Sequence, residues 1–223
     1  MPYALVMNIV FDFGNVLVEW NPVRLIVEHF PGIEQLSRPP TELAVALIDH
    51  QDWQDFDRGL LDGDELASRT AARLDLDRTA LHAFIERIPH VLPVLHDSVS
   101  AVIALTGTRS AAATGRGAAE SQHRVLYLSN MPVAFAEVLE NRCPWIARFE
   151  GGIFSGRERL AKPDAAIYVA LERRYALDPS ATLFLDDSAA NVAAARARGW
   201  QAELIERPER VAIALAERGV LSA

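Results

Sequence analysis

Ile9-Val10-Phe11-Asp12-Phe13-Gly14-Asn15-Val16-Leu17 is the stretch on which the reading of this 223-residue chain turns. An apolar run that starts at Leu5 and is broken only by Asn8 ends abruptly in a carboxylate, and Gly14 and Asn15 follow at once. Near-continuous apolar runs mark strands buried on both faces of a parallel sheet. In open α/β sheets, ligands sit just beyond the carboxyl ends of such strands. Asp12 thus stands where chemistry is expected, and Gly14 lets the chain turn sharply beside it. Alone, Asp12 could equally well cap a strand end, and later segments must decide.

Working outward, Glu19-Trp20-Asn21-Pro22 breaks the apolar pattern, and from Pro22 to Pro93 the signals are helical with no strand-like run. Leu43, Ala46 and Leu47 share a helical face, and Asp62, Asp64 and Glu65 precede an amphipathic helix over 66–74, where the helix dipole favours acids. Leu81, Phe84, Ile85 and Ile88 form another apolar stripe, closed by Pro89 and Pro93. This block reads as a helical insert of the kind that covers a site. Ser98 is expected to cap a helix that stops at Gly107. Residues 108–122, rich in Ala, Gly, Ser and Thr, have little to bury and read as an exposed loop.

Beyond it, strands are expected over 124–129, 151–156, 182–187 and 202–205, with helices over 132–140, 164–175, 191–198 and 210–218. Such alternation argues an α/β fold, a doubly wound parallel sheet with helices on both faces. A core of residues 1–17 and 94–223 with a helical insert of 18–93 is the expected organisation.

Half the residues are hydrophobic, 23% are charged and the net charge is −8. That balance suits a globular protein and argues against a general nucleic-acid binder, which needs clustered Lys and Arg. A single cysteine, Cys143, excludes an internal disulfide and a cysteine-based metal cage, which fits a reducing cytoplasm. The apolar N-terminus has no basic leader and meets Asp12 early, so it is read as a core strand rather than a signal peptide or membrane span. A monomer or homodimer acting on a small metabolite, with neither nucleic acid nor membrane as partner, is expected.

Three expected strands end in Asp12, in Ser129-Asn130 and in Asp186-Asp187, and Lys162 lies in a loop before a helix. Singly, Ser129-Asn130 reads as a helix-capping turn, Lys162 as a surface lysine, and one of Asp186-Asp187 as a cap. Together at one sheet edge they make a definite chemistry. Asp12 can attack phosphorus as a carboxylate nucleophile. Asp12, Asp186 and Asp187 form an oxygen-rich pocket suited to Mg²⁺, whose charge lets the acids sit together ionised. Ser129 and Asn130 can donate to phosphoryl oxygens, and Lys162 can offset their charge.

These residues also carry a family resemblance. Phe11-Asp12-Phe13-Gly14-Asn15-Val16, Leu128-Ser129-Asn130, 162–168 from Lys162-Pro163-Asp164 onward, and 184–191 around Asp186-Asp187 resemble, in order, the four motifs of the haloacid dehalogenase superfamily. The insert is similar to that superfamily's C1-type cap, and the first motif to the branch containing a bacterial glucose-1-phosphate phosphatase. The resemblance spans nearly the whole chain, leaving 108–122 as an apparent insertion. It implies a Rossmann-like core, Asp12 as nucleophile and Mg²⁺ ligand, the Gly14 carbonyl and Asp187 as further ligands with Asp186 beside them, and Ser129, Asn130 and Lys162 binding phosphate. The function implied is a Mg²⁺-dependent phosphatase acting on a small phosphorylated metabolite, with a sugar phosphate as one candidate, through an aspartyl-phosphate on Asp12.

Most phosphatases of that superfamily carry a second aspartate two residues after the nucleophile as general acid and base, and here Gly14 holds that position. Acid–base help is worth about 10² to 10⁴ in rate. Either the leaving group needs little protonation, or Glu19, His29, Asp57 or water supplies the proton, or activity is weak. A metal-free 2-haloacid dehalogenase, with Asp12 attacking carbon, and a catalytically weak binder of a phospholigand or protein partner are the competing readings.

Overall fold

The structure, a computed structural model, describes residues 7–36, 38–112 and 123–221. β1 (Asn8–Phe11) opens the fold, and five helices follow before the next strand is approached: α1 (Pro22–His29), α2 (Pro40–Ile48), α3 (Gln51–Asp57), α4 (Gly63–Leu74) and α5 (Arg78–Val91). Then come α6 (His96–Ala112), β2 (Arg124–Ser129), α7 (Val133–Arg142), β3 (Gly151–Phe154), α8 (Ser155–Glu158), α9 (Ala165–Tyr175), β4 (Thr182–Asp186), α10 (Ala189–Ala197), β5 (Gln201–Leu204) and α11 (Glu209–Glu217). The five strands form one parallel sheet in the order β3-β2-β1-β4-β5. No helix of the described residues is long and apolar enough to cross a membrane.

β1 is central because every residue in it is buried. Alternation sends Ile9 and Phe11 to one face, where they pack with Val125, Tyr127, Leu183 and Leu185, and Val10 to the other, with Leu126, Leu128 and Phe184. Register does the rest. Phe11 pairs with Tyr127 on one side and Leu185 on the other, so Asp12, Ser129 and Asp186 emerge at one edge of the sheet. The Asp12 amide still donates to the Leu185 carbonyl at 2.9 Å, which holds the first carboxylate at the end of the ladder.

The helices α1 to α5 add no strand to the sheet. Their two connections to it run side by side: the Glu19 amide donates to the Pro93 carbonyl at 2.8 Å, and the Leu95 amide to the Leu17 carbonyl at 2.9 Å. A second contact lies at the far end of α3. Ser155 Oγ donates to the Asp57 carbonyl at 2.5 Å and accepts from the Met131 amide at 2.7 Å. Gly59 closes this junction with φ +68°, and a Cβ there would lie 2.2 Å from the Gly156 carbonyl oxygen.

Boundaries shift by one to three residues at several elements, and three of the differences fall at Gly107, Pro89 and Phe154. α6 runs past Gly107 to Ala112, because a glycine ends a helix by taking a left-handed φ and Gly107 does not. The first five residues of the expected 108–122 loop are therefore helical, and 113–122 fall outside the described residues. α5 passes through Pro89 to Val91, although that proline has no N–H to give the Ile85 carbonyl. β3 stops at Phe154, where Ser155 and Gly156 turn toward Met131, the Gly156 amide donating to the Met131 carbonyl at 3.1 Å.

Two glycines should respond in opposite senses to alanine. Gly59→Ala is expected to cost about 1–3 kcal/mol through its left-handed backbone and the steric conflict. Gly107→Ala, whose Cβ meets nothing within 4 Å, is expected to stabilise by about 0.5–1 kcal/mol. Denaturant midpoints of the two variants against the parent chain check both signs.

Candidate active site

Lys162 joins the two acidic strand ends. Its Nζ lies 2.8 Å from Asp12 Oδ1 and 2.6 Å from Asp186 Oδ2, and all three side chains are buried. The lysine is seated by its backbone: its amide donates to Asn130 Oδ1 at 2.8 Å, and Asn130 Nδ2 donates to its carbonyl at 3.0 Å. The amide of Asn130 thus fixes Lys162 and keeps one further N–H for a ligand. Ser129, buried at the end of β2, lines the same cleft as Asp12 and Lys162.

Each acid of the trio has its own holder. Asp186 accepts from Lys162, from the Ser188 amide at 2.8 Å and from Asn191 Nδ2 at 3.0 and 3.1 Å, so its lone pairs are largely committed. Asp187 accepts from Asn15 Nδ2 at 2.9 Å, while Asn15 Oδ1 accepts from the Trp20 amide at 2.9 Å. Asn15 achieves this with φ 52°, a left-handed conformation that Asn tolerates better than most residues. Asp12 Oδ1 has the lysine charge nearby but no hydrogen-bond donor in line with it.

Burial sets the electrostatics. It raises the Asp12 carboxyl to about 7, with Lys162 opposing and Asp186 and Asp187 adding to the rise. Burial also raises Asp187, against the Asn15 bond, and alone would lower Lys162, but Asp12 and Asp186 outweigh it and hold the ammonium above its ordinary range. Carboxylate oxygens of Asp12, Asp186 and Asp187 lie within 4.8 Å of one another. Three carboxylates this close, offering oxygen donors only, are what a small hard cation takes, so the residues fit Mg²⁺.

Above this polar floor opens a cleft of about 210 Å³. Its walls are mostly apolar: Val18, Trp20, Ile48, Trp53, Leu92, Met131, Pro132 and Phe135, with Asp57 as the acid from the α1–α5 block. Trp20 and Trp53 approach with ring centroids 6.0 Å apart, whereas Trp145 packs on Phe13 and Trp200 on Tyr168 and Phe184 in the interior. Of the three proton donors the sequence left open, Glu19 is taken by Arg24 at 2.7 Å and His29 sits beside Glu28 and Arg87. Only Asp57 of these lines the cleft.

Sequence reasoning assigned no role to Asn15 and Asn191. A signal existed: Asn191 is a polar residue on the buried face of an Ala-rich helix, five residues after Asp186. The apolar wall residues had none, because 18–93 could pack inward in several ways with the same periodicity.

Comparison with known proteins follows the same lines. The family model of haloacid dehalogenase-like hydrolases matches residues 6–199. A sesquiterpene phosphatase of Aspergillus oryzae is 26% identical over 191 residues, covering 85% of each chain. Among solved structures, an enzyme of the same family from Bacteroides thetaiotaomicron, complexed with magnesium and inorganic phosphate, superposes with TM-score 0.61 at 19% identity, over 89% of this chain and 93% of that one. The L-2-haloacid dehalogenase of Xanthobacter autotrophicus, with chloropropionic acid covalently bound, gives 0.63 at 14% identity, over 98% and 85%.

Replacing Lys162 by Met should leave Asp12 and Asp186 buried without their cation, a loss of about 3–5 kcal/mol. Without the ammonium the Asp12 carboxyl, already raised by burial, titrates higher still in the folded state than in the unfolded chain. Stability then rises as pH falls through the folded value, so the deficit of Lys162→Met should be larger near pH 8 than near pH 5. Denaturant unfolding in metal-free buffer at the two pH values measures it.

Proposed function

This chain belongs to the haloacid dehalogenase-like hydrolases, and we propose that it is a Mg²⁺-dependent phosphatase that cleaves the phosphate monoester of an apolar alcohol with Asp12 as nucleophile. The observation that carries this reading is Lys162, buried between Asp12 and Asp186 with Asp187 alongside at the mouth of an apolar cleft. The sesquiterpene phosphatase relative and the magnesium and phosphate held by the structural relative support it. A sugar phosphate suits the cleft less, because a sugar would bury its hydroxyls against Val18, Ile48, Leu92 and Phe135 with few groups to bond them. We take residues 18–93 as a cap that supplies Trp20, Ile48, Trp53 and Leu92 to the alcohol, over a core of 1–17 and 94–223.

In this reading the phosphoryl group rests on the polar floor with its ester oxygen toward the cleft. A carboxylate oxygen of Asp12 attacks phosphorus and the ester bond breaks, leaving an aspartyl-phosphate. Lys162 and the Ser129 hydroxyl offset charge on the non-bridging oxygens, and Asn130 keeps Lys162 in place while offering its remaining N–H. Water then attacks phosphorus, releasing inorganic phosphate and regenerating Asp12. Asp12, the Gly14 carbonyl and Asp187 would hold Mg²⁺, with Asp186 behind them. The bound ion supplies positive charge that keeps Asp12 ionised and offsets the phosphoryl charge.

Phosphate release from a terpenyl monophosphate and from glucose 1-phosphate, each with Mg²⁺ and with EDTA, tests the reading. We expect the terpenyl ester to lead by at least about tenfold in kcat/KM, and EDTA to abolish turnover. A preference for the sugar ester would overturn the substrate class, and metal-independent chloride release from 2-chloropropionate without phosphatase activity would overturn the reaction. Asp12→Asn should lower turnover by about 10⁴ or more while keeping the thermal transition. Gly14→Asp should keep Mg²⁺ affinity in a calorimetric titration, since the ligand proposed there is backbone and the nearest atom to the new Cβ is Trp20 Cβ at 3.8 Å.

A further inference from the structure

Asp57 is the acid that the α1–α5 block presents to the cleft, and no part of the chemistry above uses it. It ends α3, and its carbonyl is fixed by Ser155 Oγ at 2.5 Å. The same hydroxyl accepts from the Met131 amide, two residues beyond Ser129. Gly59, pressed against Gly156, locks the turn that follows. A carboxyl on the covering segment is thus tied to the strand end that carries Ser129 and Asn130. Its own carboxylate has no hydrogen-bond partner among the described residues, while the position that would hold an acid beside the nucleophile is Gly14. An apolar alcohol leaves as a poor alkoxide, so the proposed reaction needs a proton donor near the ester oxygen.

We propose that Asp57 is the general acid and base of the reaction, a catalytic residue supplied by the helical segment in place of one at Gly14. This rests on the phosphatase reading. In the first step, as the bond from phosphorus to the ester oxygen breaks, the Asp57 carboxyl gives its proton to that oxygen, and the products are the neutral alcohol and the aspartyl-phosphate. In the second, the Asp57 carboxylate takes a proton from the attacking water as the bond between phosphorus and Asp12 breaks. Asp57 ends the cycle protonated, as it began. Burial raises its carboxyl to about 7, opposed by Arg58 and Lys162, so both forms are accessible near neutrality. Other charges nearby are already engaged. Arg58 lies 3.5 Å from Asp164, Arg69 and Arg73 of α4 face Asp52, and Arg157 of α8 is bound by Glu140.

Leaving-group dependence tests the proposal with Mg²⁺ present. In the unmodified protein, kcat/KM across a series from p-nitrophenyl phosphate to hexyl phosphate should vary little, because the proton is supplied. In Asp57→Asn, hexyl phosphate should lose about 10² to 10⁴ in kcat/KM, while p-nitrophenyl phosphate, whose leaving group needs no proton, loses less than about tenfold. The variant should also release a burst of about one nitrophenolate per site, because hydrolysis of the aspartyl-phosphate has lost its base. A steep leaving-group dependence in the unmodified protein, an equal loss on both esters, or no loss on hexyl phosphate would overturn the role of Asp57. If the unmodified protein releases phosphate from neither ester, the phosphatase reading itself fails.

Discussion

A buried ammonium between two carboxylates is the constraint around which this sheet edge is arranged. Three acids at adjacent strand ends would repel one another and take up protons in an apolar interior. Lys162 makes their proximity tolerable, and it must be held in place to do so. The chain uses neutral amides for that purpose. Asn130 fixes the lysine backbone, Asn191 and the Ser188 amide fix Asp186, and Asn15 fixes Asp187. Amides orient charges without adding any, which leaves the cluster net negative and open to a cation.

The remaining construction separates polar chemistry from apolar recognition. Floor residues come from strand ends whose register is set by central, fully buried β1. Wall residues come partly from the segment outside the sheet, where Trp20, just before α1, and Trp53 of α3 stand together in the cleft lining. The acids and the apolar side chains thus line different parts of one cleft.

Much of the fold was legible because burial on both faces leaves a plain trace: apolar runs ending in Asp12, Ser129 and Asp186 read as parallel strands, and the sheet has them at one edge. The end of the helix over residues 96–112 is not legible, because Gly107 looks like a stop, yet a glycine is a stop only with a left-handed φ, which composition does not reveal. Within the site, the spacing of Asp12, Lys162 and the Asp186-Asp187 pair pointed to one place. Pairings such as Asn130 with the Lys162 backbone link residues 32 positions apart in the chain and depend on loop geometry that no local pattern encodes. Glu19, His29 and Asp57 looked alike in sequence, and their neighbours separate them: Arg24 occupies the first, Glu28 and Arg87 flank the second, and the third faces the cleft.

The paired hydrogen bonds between Glu19 and Pro93 and between Leu95 and Leu17 bring the two ends of the helical segment to one doorway. A segment that departs and returns at the same point can be lengthened, shortened or exchanged over evolutionary time with little disturbance to strand register. The anchored α3 terminus restrains that freedom, since a replacement must still reach Ser155 and Gly156. The apolar wall can thereby vary while strand register is kept, within limits set by this mooring and by contacts such as Phe56 on Phe135 and Arg58 beside Asp164.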